Sequence, residues 1–508
     1  MTDRIPDLEA HRALAEALQA PECYPWPVDT VECIETHIST VLLAGAYVVK
    51  LKKPLDLGFL DFSSLERRRY FCDEEVRLNG RLAPQIYLRR VAIAGPATEP
   101  RIDGEGDVLE YAVLMRRFPE NELMSRLLRE GRLPHGAVER LAETVARFHA
   151  GLPAAGEDSE YGSPEAVADP MRDNFRALET QSAAASMRGE LRALERWTEA
   201  QLQRLEPLIR RRRAEGAVRE CHGDLHLGNV AWHEDDLIIF DGIEFNPALR
   251  WIDTASEVAF TVMDLDFEGA RRLRHCFLDR YLEQSGDYQA LPLLPLYAVY
   301  RALVRAKING HEVEQGGGSA AQEALCDHVQ LAKSYTVAQV PELVITYGLS
   351  GSGKSVRARR LVEERGFIRL RSDVERKRLF GLEPRARSDS TLDSGLYSPE
   401  ATWRTYERLQ EQAEGALEAG FSVVVDAAFL KAERRRPFLE LAARTGCRFR
   451  ILHVRADEQT LRERLRKRLA EGRDPSEADE TVLDAQLRTA QPPSGEEAAF
   501  VETVDADG

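Results

Sequence analysis

The 508-residue sequence contains no apolar run near the roughly 18 residues that a membrane-spanning helix needs. Its longest candidate, Val41 to Val49, suits a strand. Cysteine is sparse: seven thiols (Cys23, Cys33, Cys72, Cys221, Cys276, Cys326, Cys447) are scattered and never spaced CxxC. That pattern argues against a disulfide frame or a zinc site and for reduced thiols. The N-terminal MTDRIPDLEAHRALAEAL lacks an apolar signal-peptide core and reads as a polar amphipathic helix, so a cytoplasmic location without membrane is expected. Positive charge is in deficit, with a formal net charge of −16, which disfavours a nucleic-acid-coating surface. The basic runs at Arg210–Arg213 and Glu433–Arg436 read mainly as solvated helix faces, which is also the bland reading of Arg462–Arg468.

What is present is ordinary globular material, 43% apolar and 30% charged, enough for sizeable cores. At about 150 residues per domain, the length suggests roughly three compact units. After an N-terminal helical extension over 1–30, residues 31 to about 115 alternate in the manner of strands, with one helical stretch at LERRRYFCDEEVRLNGRLA. Residues 116 to 337 read as mostly helical, interrupted by the hairpin-like HGDLHLGNVAWHEDDLIIFDGIEF. EQGGGSAAQE reads as a flexible loop. A fresh α/β pattern starts at PELVITYG, which puts a domain boundary at about 337–341 and a third region over 338–508.

The sharpest motif lies in that last region. GLSGSGKS, Gly348 to Ser355, fits G-x-x-x-x-G-K-S between a strand-like LVITY and a helical VRARRLVEERG. The glycines Gly348, Gly351 and Gly353, with Ser350 and Ser352 between them, let backbone N–H groups turn inward around phosphates at a helix N-terminus. Lys354 then reaches the β/γ-phosphates and the Ser355 hydroxyl faces Mg²⁺. Further on, Asp373 follows a short strand and Asp426 ends an apolar one, where ligands gather in open α/β sheets. LRERLRKRLAEGRDPSEAD has the pattern of an arginine-bearing lid.

This order of motifs, over about 341–490, resembles the small P-loop kinases: gluconate kinase, polynucleotide 5′-kinase, chloramphenicol phosphotransferase and zeta toxin. The resemblance implies Asp373 as general base toward an acceptor hydroxyl, with Arg376 assisting. It also implies Arg468 and Arg473 as lid arginines on the nucleotide and Asp426 in the metal's surroundings. As a bland alternative, Asp373 caps a helix.

The N-terminal half carries a second constellation. HGDLHLGN, His222 to Asn229, followed by IIFDGIEF, resembles the catalytic and metal segments of aminoglycoside phosphotransferases and choline-kinase-like enzymes, over about 30–335. That resemblance implies Asp224 beside the acceptor hydroxyl, Asn229 and Asp241 on Mg²⁺, and His222 as a brace. His222 and His226 lack a third ligand, so zinc is not expected. The same family needs a strand lysine and a helix glutamate. Lys50 is preferred with Lys52 as rival, and Glu74 is preferred from the E-x-x-x-L spacing with Glu75 as rival. His37 to Thr40 would cover the nucleotide, Tyr111 to Phe118 would connect the lobes, and Met115 would approach adenine or serve as core. Asp253 and Glu257 would either grip a cationic acceptor or cap helices.

The expected fold is therefore a bilobal protein-kinase-like (aminoglycoside phosphotransferase-like) α+β domain over 31–337, then a P-loop NTPase parallel-sheet domain over 338–508. The expected activity is transfer of the γ-phosphoryl group of Mg-ATP, or another NTP, to small-molecule hydroxyls in both domains. Two alternatives stand beside it. One is a C-terminal polynucleotide 5′-hydroxyl kinase or zeta-toxin-like kinase partnered by the N-terminal domain, with a nucleic-acid end disfavoured by the net charge. The other is a non-catalytic ATP-gated regulator. Nothing in the sequence specifies an oligomeric state or either acceptor.

Overall fold

A computed structural model of the chain describes residues 8–58, 60–383, 386, 395–471 and 478–505. It forms two compact units, and neither is continuous in sequence. The first takes Met1–Ala137, Gly151–Asp173 and Glu206–Asp264; the second takes Val138–Ala150, Asn174–Leu205 and Leu265–Gly508.

In the first unit, helix α1 (Leu8–Ala17) precedes strands β1 (Val31–Glu35), β2 (Ser39–Ala44) and β3 (Tyr47–Lys52). Helix α2 (Leu65–Asn79) follows, then β4 (Tyr87–Ala94), β5 (Arg101–Ile102) and β6 (Val108–Arg116). The strands make one antiparallel sheet in the order β1-β2-β3-β6-β4-β5. Alternation along β3 sends Val49 and Leu51 into a core with Leu42, Leu114 and Leu14 and Leu18 of α1. Lys50 and Lys52 therefore share the opposite face. Helix α2 starts where the Ser64 hydroxyl accepts from the Arg67 N–H, satisfying an otherwise unpaired donor of its first turn.

Helices α3 (Met124–Arg129), α4 (Ala137–Gly151), α5 (Pro164–Thr180) and α6 (Arg188–Ala214) come next. The division between the units passes through α5 and α6. The first unit resumes with β7 (Val218–Glu220), β8 (Val230–His233), β9 (Asp236–Ile239), α7 (Pro247–Arg250), β10 (Trp251–Asp253) and α8 (Thr254–Phe267). Strands β8 and β9 form a hairpin whose two turn residues, Glu234 and Asp235, both have positive φ, the geometry a two-residue turn demands. Strand β7 pairs antiparallel with β10.

The second unit contains α9 (Arg271–Ser285), α10 (Leu294–Glu314) and α11 (Gly318–Ser334), and then an α/β alternation. That alternation runs β11 (Glu342–Tyr347), α12 (Lys354–Arg365), β12 (Ile368–Arg371), α13 (Ser372–Leu379), α14 (Pro399–Glu418), β13 (Val423–Asp426), α15 (Ala432–Thr445), β14 (Arg448–Arg455), α16 (Glu458–Glu471), α17 (Glu480–Thr489) and β15 (Val501–Asp505). Its five strands are all parallel, in the order β12-β13-β11-β14-β15. Residues of β11 and β13 are buried on both faces, as helix-covered parallel strands must be.

One expectation is revised. The stretch EQGGGSAAQE turns at Gln315 and Gly316, the latter with φ +94°, and is already helical in α11 from Gly318. Within the second unit α9 packs on α12 and β12, and the turn at Tyr288–Leu293 packs on α14, contacts that cross positions 337–341.

Candidate active sites

The first site gathers on the lysine face of β3. Glu75 of α2 lies between the two lysines, its Oε1 2.9 Å from Lys50 Nζ and its Oε2 2.6 Å from Lys52 Nζ. Lys50 also pairs with Asp241 at 2.5 Å, and Lys52 pairs with Glu244 beneath the Phe62 ring. Burial alone would raise the Glu75 pKa, but Lys50 and Lys52 together hold it below the usual carboxylate range. The preference for Glu74 is thereby corrected. One residue earlier on the helix, Glu74 points elsewhere and pairs with Arg77 at 2.8 Å and with Arg250. Its rival Glu75, fully buried, is the one the lysines share.

Asp224 sits in a loop fixed from behind. Glu257 of α8 accepts the N–H groups of His222 (3.1 Å) and Gly223 (2.6 Å), and Asp264 accepts that of Leu227 (2.7 Å). Gly223 has φ +87°, and a Cβ there would lie 2.8 Å from the Leu249 carbonyl, so only glycine fits. His222 bonds the Phe240 carbonyl through Nε2 at 2.9 Å and accepts the Asp224 N–H on Nδ1 at 3.3 Å. Burial lowers its pKa, outweighing Glu257 and Asp224, so the ring stays neutral and braces the loop.

Asn229 donates to the Asp224 carboxylate and carbonyl, both at 3.0 Å. The Phe240 N–H donates to the Asn229 carbonyl, which closes the β8–β9 hairpin and sets Asp241 at its exit beside Asn229. Asp241 itself has φ +62°, and its N–H is held by the Tyr87 hydroxyl at 3.0 Å. The Asp224 and Asp241 side chains keep 35% and 48% exposure amid buried supports, so the two carboxylates present themselves to an incoming ligand.

Of the acids weighed as cationic grips, Glu257 serves the loop. Asp253 is locked to Arg212 by two bonds of 2.8 Å and caps α8 through the Ala255 N–H. Met115 is a core residue, packed with Val113, Ala231 and Ile238. Ser39 and Thr40 of the expected covering loop already belong to β2.

In the second site, β11 leads through Gly348–Gly353 into α12, which opens at Lys354. A Cβ on Gly348 would meet the Val454 carbonyl at 2.6 Å and one on Gly351 the Leu461 carbonyl at 2.8 Å, so the loop closes only with glycines. Gly351 and Gly353 have φ of +86° and +94°. Ser352 Oγ is buried without a hydrogen-bond partner, an orphan polar atom within the Gly348–Gly353 loop. Such a cradle fits a phosphate group.

Lys354 Nζ donates to the Leu349 carbonyl at 2.8 Å. Burial pushes its pKa down to about 8; Asp426 and Asp373 oppose the shift and Arg468 adds to it. The charges of all three groups are thus felt at the lysine. Ser355 follows as the second residue of α12. Asp426 ends β13, buried, with Arg371 Nε 3.6 Å from its Oδ2. Arg468 donates to the Ala478 carbonyl at 2.7 Å; Arg473 lies outside the described residues.

Arg376, expected to assist Asp373, lies on α13. Its guanidinium donates to the Leu396 carbonyl (2.9 Å) and Thr402 Oγ1 (3.1 Å) and lies over the Tyr397 ring, so it shapes the wall that α13 and α14 share. A contributor that sequence reasoning missed is Gln486 of α17. Its carboxamide accepts from the Ser350 N–H at 2.8 Å and donates to Ser350 Oγ at 3.0 Å.

Two family models match the chain: the phosphotransferase enzyme family over residues 45–294 and an AAA domain over 343–493. Uncharacterized proteins of Mycobacterium bovis and Mycobacterium tuberculosis are each 31% identical over 415 residues, which is 82% of this chain and 82% of theirs. The chain belongs to the same family as these proteins. It is a kinase, with an aminoglycoside phosphotransferase-like region followed by a P-loop domain.

Among solved structures, this kinase is similar to a choline/ethanolamine kinase family protein from Mesorhizobium loti (13% identity, 64% of this chain and 94% of that one, TM-score 0.39). It is also similar to a gluconokinase from Sinorhizobium meliloti (23% identity, 34% of this chain and 85% of that one, TM-score 0.24). No helix among the described residues of the kinase is long and apolar enough to cross a membrane.

Proposed function

We propose that the chain carries out two phosphoryl transfers from Mg-ATP to hydroxyl groups of small molecules, one at each site. One observation above all supports the reading: two separate clusters occur in one chain, Lys50 with Glu75 and Asp241 near the Asp224–Asn229 loop, and Lys354 behind a glycine loop with Asp426 acting on its charge. At the first site Lys50, steadied by Glu75, would contact the nucleotide phosphates, and Asp224 would orient and deprotonate the acceptor hydroxyl. At the second, the glycine cradle and Lys354 would hold the phosphates, Asp373 would take the acceptor's proton, and Arg468 would approach the transferred group. In each case the acceptor oxygen bonds to the γ-phosphorus, the bond to ADP breaks, and the carboxylate receives the proton. Mg²⁺, held by Asn229 and Asp241 in one site and by Ser355 and Asp426 in the other, would neutralise charge developing on the phosphates.

The test is a metabolite-wide screen for ATP-dependent gain of one phosphate, with a 5′-hydroxyl oligonucleotide included, run on wild type, Asp224→Ala and Asp373→Ala. Each variant is expected to lose one set of products by about 10²–10⁴-fold and to keep the other. Unchanged products with either variant would remove that aspartate from its role. Labelling of the oligonucleotide alone by the second site would replace the small-molecule acceptor there.

A further inference from the structure

Arg371, the last residue of β12, stands opposite Asp426 in the parallel register. Its guanidinium lies between two carboxylates: Nε is 3.6 Å from Asp426 Oδ2, and a terminal nitrogen is 3.4 Å from Oε2 of Glu283 on α9. Glu283 is buried at 4% exposure and is itself held by Arg369 at 2.9 Å and Arg280 at 2.8 Å. Arg369 in turn binds Asp279 of α9 through two bonds of 3.2 and 2.7 Å, and its carbonyl accepts from the Tyr288 hydroxyl. Arg378, in the last turn of α13, donates to the Glu283 carbonyl at 2.6 Å. This strip of buried charge ties a helix far from the P-loop in sequence to the end of β13.

The Arg371 guanidinium, held between two carboxylates, sits at 3.4–3.6 Å from both and forms the short, two-pronged pair with neither. Removing one carboxylate frees the cation to move onto the other. On the reading that Asp426 belongs to the shell of a divalent cation, Arg371 competes with that cation for the Asp426 oxygens. We propose that Glu283 is a positioning residue for the P-loop site: by holding Arg371 it keeps Asp426 available to the divalent cation. Charge on α9 thereby sets the magnesium requirement of phosphoryl transfer 143 positions further along the chain.

The experiment uses the full-length chain carrying Lys50→Ala, so that nucleotide binding reports the P-loop site. Binding of a fluorescent ATP analogue is titrated with MgCl₂ and repeated in EDTA. Glu283→Gln is expected to raise the Mg²⁺ half-saturation about fivefold and to leave binding in EDTA unchanged. In an Arg371→Met background the same substitution is expected to have no effect, because the competing cation is gone. An equal shift in both backgrounds, or no shift in the folded variant, overturns the inference. Should Glu283→Gln not fold, Glu283→Asp withdraws the carboxylate by one methylene and is expected to shift the half-saturation about twofold in the same direction; no shift overturns it equally. Asp426→Asn separates the two levels. If it leaves the Mg²⁺ dependence intact, the assignment of Asp426 to the metal shell is what fails, and the role of Glu283 falls with it.

Discussion

Glu75 shows how one carboxylate can serve two cations. Lys50 and Lys52 stand two positions apart on β3 and both reach it, with Asp241 and Glu244 on their outer sides. Glu75→Gln leaves both buried ammonium groups short of a partner and is expected to cost about 3 kcal/mol of stability and to raise the KM for ATP at the first site. Glu74→Gln, whose Arg77 partner is half exposed, is expected to cost at most about 1 kcal/mol and to leave KM near wild type. Urea unfolding with ATP kinetics on the two variants checks this, and equal KM effects would undo the assignment. The sign with pH follows from the depressed pKa of Glu75. Its contribution is complete above the ordinary value of 4.5 and is lost as the pH falls through the lower folded value.

The choice between Glu74 and Glu75 was not legible in the sequence. Leu78 stands four residues after Glu74 and Asn79 four after Glu75, so the spacing pointed to Glu74, yet adjacent residues on a helix lie about 100° apart and spacing alone does not tell which one faces the strand. By contrast Asp224, Asn229 and Asp241 were legible, because a tight loop and the hairpin after it fix their order within a few residues. Gln486 was beyond reach, since it meets Ser350 from 136 positions away and no short pattern records that pairing.

Among elements, α11 carries a buried histidine that responds to acid. His328 stacks on Phe267 at 3.8 Å and bonds the Ala324 carbonyl through Nδ1. Burial lowers its pKa from 6.5 to about 4, outweighing the raising effect of that carbonyl. The unfolded chain therefore binds the proton first, so stability is fully present above pH 6.5 and falls as the pH drops toward 4. Between pH 7 and pH 5 this one ring is expected to remove about 2 kcal/mol. His328→Gln should lose correspondingly less over the same interval, as read from urea midpoints at the two pH values. An identical loss in both proteins would show that the ring is not the group titrating. The parallel strands were legible at this scale because LVI and VVV are uninterrupted apolar runs. The partner of α9 was not, because an amphipathic helix has the same periodicity whichever surface it covers.

For the molecule as a whole, the boundary drawn from composition at 337–341 cuts through the second compact unit. A fragment of residues 338–508 would retain Arg369 and Arg371 but lose Asp279, Glu283 and the Tyr288 hydroxyl. Breaking buried pairs in this way is expected to lower the thermal midpoint of the P-loop region by about 10 °C relative to the full chain. Amide hydrogen exchange along β12 is the local readout. A fragment that melts and exchanges as the full chain does would mean that α9 contributes nothing to it. The glycine cradle was legible at any scale, since eight consecutive residues carry it; the extent of the body that supports it was not.

The interleaving of segments also has a consequence during synthesis. Val138–Ala150 and Asn174–Leu205 both leave the ribosome before Leu265 resumes the unit to which they belong, the second of them 60 positions ahead. At translation speeds of about 5–20 residues per second, these helices wait roughly three to twelve seconds for the remainder of that unit. Holdase chaperones should therefore find their binding site on these helices and not at the P-loop.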